Sequence, residues 1–210
     1  MSEDLFVTGT DTNVGKTVLS ALLVAALNGT YWKPIQTGAA EGTDRQQIMR
    51  WAELPEARTV PECYCFDPPV SPHLAAEAYG VTIELGRIRR PPLPPGVPLI
   101  IEGAGGVLVP INDSELMLDL IGKLDAPVVV ASRTALGTIN HTLLTVRALH
   151  GARVCVKGVV MIGRENQDNE RAIERYGAVP VVGRIPVLDN ICRSALLQVF
   201  ESRFDRKIFA

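Results

Sequence analysis

Residues 7–20, VTGTDTNVGKTVLS, run from an apolar segment through a glycine- and threonine-rich loop into a stretch of helical character, with Lys16 and Thr17 at the second junction. A strand that ends in such a turn and opens a helix brings backbone N–H groups and the positive end of the helix dipole to one point, where phosphate binds. Lys16 is placed to neutralise outer phosphates and the Thr17 hydroxyl to hold Mg2+, the division of labour in P-loop proteins. The usual GxxxxGK[S/T] spacing would put the first glycine at position 10. That position is Thr10, and the glycine stands one place earlier, at Gly9. An ordinary capped helix start would account for a chance GKT, but not for the strand before it and the helix after it together.

Outward from this loop, β-rich runs at 4–8, 30–33, 98–102, 127–132, 154–162 and 179–185 alternate with longer stretches of helical character. That rhythm predicts βαβ units and a mostly parallel sheet. PLIIEG, APVVVAS and GVVMIG lack polar alternation, as expected of central strands with helices on both faces. The 210 residues, 47% of them hydrophobic, suffice for one substantial core and are short for two. We therefore read residues 1–210 as one α/β domain of the P-loop NTPase-like class. Ligands in such sheets bind at the carboxyl ends of strands, so the loops beginning at Thr8, Pro34, Glu102, Ser132, Gly163 and Pro186 form the expected working edge. RRPPLPPGVP, residues 89–98, reads as a stiff surface connection. Leu196, Phe200, Phe204 and Ile208 recur as one helical stripe, expected to pack on the domain.

A net charge of −2 supplies no global pull toward nucleic acid or anionic membrane, so neither is an expected partner. The acidic start MSEDLFVTG is unlike a secretory leader, and no run approaches the ~20 apolar residues of a membrane span. Cys63, Cys65, Cys155 and Cys192 are too scattered for a disulfide framework, and CYC lacks CxxC spacing. Reduced thiols in the cytoplasm are the expectation.

The other half of a P-loop site is an acidic residue at the end of a second apolar strand. PLIIEGAGG offers Glu102, followed by Gly103, Gly105 and Gly106, which let backbone approach a ligand. Asp44 in EGTDRQQI is a further candidate, although the start of a helix there would equally use it as a cap.

Five segments in order, GTDTNVGKT, KPIQTG, SPHLAAE, EGAGG and LGTINHTLLT, resemble the dethiobiotin synthetase family. The resemblance is spread from residue 9 to about 145. It implies Mg-ATP-dependent carboxylation and ring closure of 7,8-diaminopelargonic acid with CO2, forming the ureido ring of dethiobiotin in biotin biosynthesis and releasing ADP and phosphate. It further implies nucleotide contacts from Gly9, Thr10, Asp11, Thr12, Asn13, Val14, Gly15, Lys16 and Thr17, from Glu102, Gly103, Gly105 and Gly106, and from Pro186, Val187 and Leu188. Lys16 and Lys33 would flank the developing anionic phosphoryl group, with Thr37 contacting the reacting nitrogens. Thr17, Asp44 and Glu102 match the Mg2+ ligands.

On the substrate side the resemblance places Lys33, Thr37, Ser71 and Pro72, and, from the neighbouring subunit of a homodimer, Leu136, Gly137, Thr138, Ile139 and Asn140. His73 and His141 are read as organisers rather than proton carriers. One departure stands out: many relatives carry an Asn-Asp pair, whose Asn reads adenine, where this chain has Ile162 and Gly163. Relaxed base choice is expected, unless Asn166 or a main-chain amide near 186–188 reads the base. The competing class is a deviant P-loop switch ATPase of the partition or septum-site type, whose signature lysine is replaced here by Asp11. Amidases related to cobyrinic acid synthesis carry a further glutamine-hydrolysing domain, for which 210 residues leave no room.

Overall fold

The computed structural model describes residues 3–209, and among these described residues nine strands and seven α-helices alternate. The first half holds β1 (Leu5–Gly9), α1 (Lys16–Ala26), β2 (Thr30–Trp32), β3 (Ile35–Gln36), α2 (Asp44–Trp51), β4 (Thr59–Val60), β5 (Tyr64–Cys65) and α3 (Pro72–Ala78). The second holds β6 (Leu99–Gly106), α4 (Met117–Leu124), β7 (Val128–Arg133), α5 (Thr138–Gly151), β8 (Val156–Ile162), α6 (Gln167–Gly177), β9 (Val181–Ile185) and α7 (Arg193–Arg203). Seven strands form one parallel sheet in the order β4-β2-β6-β1-β7-β8-β9, and β3 pairs with β5 in a separate parallel ribbon. The phosphate-loop strand β1 thus lies in the middle, between β6 and β7.

Strand alternation assigns the two faces. Leu5, Val7, Tyr31, Ile100, Val129, Val160 and Val182 pack with residues of α1, α2 and α7, including Leu19, Leu22, Ile48 and Leu196. Phe6, Trp32, Ile101, Val128, Val130, Val159 and Met161 pack on the opposite face with Met117, Leu120, Val146, Leu149 and Ile173, from α4, α5 and α6. This double cover is the physical reason the central strands are apolar throughout.

Three features depart from the sequence expectation. The strand expected to end at Glu102 continues to Gly106, because four small residues, Gly103 to Gly106, let β1 stay close: a Cβ on Gly103 would lie 3.0 Å from the Phe6 ring. The two-residue strands β3, β4 and β5 are too short to carry a periodic signal. The C-terminal stripe is not one helix. Helix α7 ends at Arg203, and Phe204 turns extended to bridge Gly183 on the outer edge of β9. Gly183 permits this, since a Cβ there would meet the Phe204 ring at 2.5 Å. Phe204 then packs beside Phe200 and Phe209, with centroids 5.3 and 6.0 Å away, so the segment does dock on the domain. Residues 88–98 contain neither helix nor strand, in keeping with a stiff connection.

All four cysteines are free among the described residues, and no described helix is long and apolar enough to cross a membrane. The aromatic clasp covers the sheet edge, so Phe204→Ala should cost about 3–5 kcal/mol. Urea unfolding followed by circular dichroism will show this as a lower midpoint with an unchanged slope.

Candidate active site

The loop after β1 closes on itself before α1 begins. Val14 lies against Gly9, where a Cβ would come within 2.6 Å of its side chain, so the first glycine is required one place before the usual position. Asn13 and Gly15 both adopt positive φ, 56° and 97°. Gly15 also lies under Ile162, whose Cδ1 would be 2.8 Å from an added Cβ. Asp11 Oδ1 accepts from the Thr12 amide at 2.7 Å, and the Lys16 ammonium donates to the Asp11 carbonyl at 2.8 Å. Burial lowers the Lys16 pKa to about 8, with Glu102 pulling it up and Lys33 pushing it down. Such a lysine is held beside the loop and gains a full counter-charge when an anion enters.

The expected charged residues meet beside this loop. Lys33, just past β2, donates from Nζ to Glu102 Oε1 at 3.1 Å and to Asp44 Oδ2. Thr17 Oγ1 donates to the same Glu102 oxygen at 3.1 Å, and Tyr31 Oη donates to Oε2 at 3.1 Å. Lys33 and Glu102 are buried, with side chains 7% and 1% exposed. Burial alone would pull the Lys33 ammonium down, but Glu102 and Asp44 outweigh it and hold its pKa above the ordinary lysine value. The Tyr31 hydroxyl is raised well above its usual value by burial and then by the Glu102 charge, so it is a protonated donor at neutral pH.

Asp44 is the first residue of α2, and its cap is the preceding residue. Thr43 accepts from the Gln46 amide while the Gln46 side chain accepts from the Thr43 amide, a reciprocal capping box. The Asp44 side chain is thereby released to face Lys33. Buried Gln36 accepts from the Asp44 amide at 3.1 Å and donates to the Thr37 carbonyl at 2.6 Å, tying the Thr37 turn to α2.

Other expected residues take separate positions. Ser71 precedes α3 and Pro72 is its buried first residue. His73 Nδ1 in that helix is buried with no hydrogen-bond partner. Gly137, at φ 92°, precedes α5, and no side chain caps that helix. The buried Thr138 hydroxyl is turned inward onto Ser132 Oγ at 2.7 Å and donates to the Arg133 carbonyl. Leu136, Asn140 and His141 are exposed, Ile139 is half-buried, and no hydrogen bond among the described residues links the segment 136–140 to the Lys33 cluster. Pro186 and Val187 are exposed after β9 and Leu188 is half-buried. A cavity of about 100 Å³ lies between Pro186, Gly163, Thr134, Glu170 and Arg184. Ile162 is turned onto Gly15, and Asn166 caps α6 by accepting from the Asn169 amide at 3.0 Å.

Sequence reasoning missed Tyr31, Gln36 and Arg133. Arg133, at the end of β7, donates to Asp11 Oδ2 and to the Thr12 carbonyl, both at 3.1 Å, and braces the outer side of the loop. Its place directly after APVVVAS, at a strand's carboxyl end, was the available signal.

A central strand, a glycine-closed loop and a lysine-threonine helix start define a P-loop nucleotide-binding α/β protein. A family model described as "AAA domain" matches residues 3–194. The chain is 46% identical over 209 residues to the ATP-dependent dethiobiotin synthetase BioD of Rhodopseudomonas palustris (strain HaA2), covering 100% of this chain and 97% of that one. It is 47% identical over 205 residues to the protein of the same name from Agrobacterium fabrum (strain C58 / ATCC 33970), covering 98% and 96%. The chain belongs to the dethiobiotin synthetase family. Among solved structures it is similar to a ParA family ATPase from Chlorobium tepidum TLS, with TM-score 0.52 and 11% identity over 95% of this chain and 91% of that one, a likeness of fold alone.

The buried charges are interdependent. Lys33→Met should destabilise the protein by about 3 kcal/mol, because it leaves two carboxylates facing each other without their cation. Adding Glu102→Gln should recover part of that loss, and additive effects in the double-mutant cycle would show that the two residues are not coupled.

Proposed function

We propose that the Lys16–Lys33–Glu102 cluster is where this dethiobiotin synthetase couples ATP cleavage to ureido-ring closure. The supporting observation is that Lys33 stands one carboxylate away from Thr17 of the phosphate loop, so a second buried cation adjoins the site of the outer phosphates. As a member of its family the chain is an ATP-dependent ligase of biotin biosynthesis, and its substrates are 7,8-diaminopelargonic acid, CO2 and ATP. One amine of the diamine adds to CO2 and loses a proton, giving a carbamate. A carbamate oxygen attacks the γ-phosphorus and ADP leaves. The second amine then attacks the carbamoyl carbon, and phosphate departs with the C–O bond electrons. Carbamate and triphosphate together concentrate negative charge, which Lys16 and Lys33 stabilise where it develops. Thr37, whose carbonyl accepts from Gln36 beside α2, would contact the reacting nitrogens.

The Thr17 hydroxyl and the Asp44 and Glu102 carboxylates are hard oxygen donors, and the fact that all three converge fits them to Mg2+. The ion would neutralise phosphate oxygens. Lys33 now occupies the two carboxylates, and in the working state it turns toward the carbamate. No histidine is required, since the amines and phosphate can carry the protons.

The start of α5 supports a shared site in a homodimer. Its uncapped amides suit the substrate's distant carboxylate, and Leu136 and Leu144, 105% and 57% exposed, leave apolar surface on either side of Asn140. Asn140→Ala should raise the KM for diaminopelargonic acid while leaving nucleotide affinity within twofold, and the protein should sediment as a dimer. An active monomer would refute the shared site.

Phosphate release and ureido product should both vanish when diamine, bicarbonate, Mg2+ or ATP is omitted in turn. Lys16→Ala and Lys33→Ala should each lower kcat by about 10²–10³-fold. Near-wild-type product formation by Lys33→Ala would remove that lysine from the mechanism. With Ile162 and Gly163 at the base, CTP, GTP and UTP should compete with ATP within about tenfold, or ~1.4 kcal/mol. A hundredfold preference for ATP in direct titration would show that another group reads the base.

A further inference from the structure

Glu102 has two carboxylate oxygens, and the fold treats them differently. Oε1 receives Thr17 and Lys33, each at 3.1 Å, and faces the phosphate loop. Oε2 receives the Tyr31 hydroxyl at 3.1 Å inside the protein, where Tyr31 is 0% exposed. The parallel register sets this up: Tyr31 pairs with Ile100, two residues before Glu102 on the same sheet face, and Lys33 follows Tyr31 by two on that face. A tyrosine of one strand and the lysine just past its end thus grip opposite oxygens of a carboxylate on the next strand.

A buried aromatic polar group needs only some acceptor, and a main-chain carbonyl is the ordinary one. Trp32 next door does this, donating from Nε1 to the Pro61 carbonyl at 3.2 Å. Tyr31 instead donates to a buried charge that the site uses. Resting on the reading of Glu102 as a metal ligand, we propose that Tyr31 is a positioning residue: its hydroxyl holds Glu102 Oε2 inward so that one oxygen alone, Oε1, is presented to the ion. Single-oxygen presentation suits Mg2+, which demands near-octahedral geometry at short distance. A carboxylate free to turn both oxygens outward suits Ca2+, which accepts bidentate ligands. Outer partners of this kind typically change metal affinity by about 10–100-fold when removed.

The test uses Tyr31→Phe, which keeps the ring and deletes the donor, in the full-length protein loaded with a non-hydrolysable ATP analogue. Mn2+ binding is followed by electron paramagnetic resonance, with Ca2+ added as competitor. The variant should bind Mn2+ about tenfold more weakly, and Ca2+ should displace it at a lower ratio than in the wild type. Analogue affinity in EDTA should stay within twofold. In a Glu102→Gln background, Tyr31→Phe should add nothing further to the Mn2+ titration. Unchanged Mn2+ and Ca2+ titrations, an additive effect in the Glu102→Gln background, or loss of the folded state at 10 °C would each overturn the positioning role. If Glu102→Gln alone leaves Mn2+ binding unchanged, the metal-ligand reading falls, and the positioning role falls with it. A Mn2+ response to Glu102→Gln without one to Tyr31→Phe overturns the positioning role only.

Discussion

A lysine ammonium buried between two carboxylates is the constraint on which this structure depends. Lys33 comes from the turn after β2, Glu102 from β6 and Asp44 from the first turn of α2. Neither Lys33 nor Glu102 could be buried with its charge intact without these partners, because desolvation without a partner costs several kcal/mol per ion. Their meeting therefore requires that β2 lie beside β6, that α2 begin at the mouth of that pair, and that Gln36 hold the intervening turn. Such a triad is weak as a source of stability and strong as a source of placement. It keeps a cation and two carboxylates within reach of the phosphate loop, in a site where interactions are little screened.

The loop itself is shaped by two close approaches. Val14 folds over Gly9, and Ile162 of β8 presses on Gly15. The first explains why the glycine precedes its usual position. The second joins the phosphate loop to the end of β8, where the aliphatic side chain packs on the loop backbone. Arg133 adds an outer brace through Asp11, a partner supplied by the end of the neighbouring strand β7. The fold shared with the ParA family ATPase leaves the chemistry to be decided by such local substitutions.

The sheet supplies the rigidity that these contacts need. β1 is flanked on both sides and covered on both faces, and the exposed edge at β9 is partly closed by the Phe204 bridge and the aromatic cluster beneath it. Functional side chains accordingly sit at strand ends and helix starts, where small backbone shifts are prevented by the core below.

The sequence alone determined the phosphate loop, the βα rhythm, the doubly covered parallel sheet and the candidates Lys16, Thr17 and Glu102, because each is written in local periodicity, glycine placement or a strand-end charge, while Lys33 entered through the family resemblance. It left Asp44 divided between cap and ligand; the Thr43–Gln46 capping box takes the cap, and the Asp44 carboxylate is paired with Lys33. Its C-terminal stripe was correct in burial and wrong in form, since the helix stops where Gly183 offers Phe204 a sheet edge. Only the tertiary structure decided strand order, and with it the partners that strand order creates: Tyr31 with Glu102, 71 residues away, and Arg133 with Asp11, 122 residues away. Local pattern records which face a residue turns to the core. It does not record which strand will lie alongside, and the hydrogen bonds that finish this site run between adjacent strands.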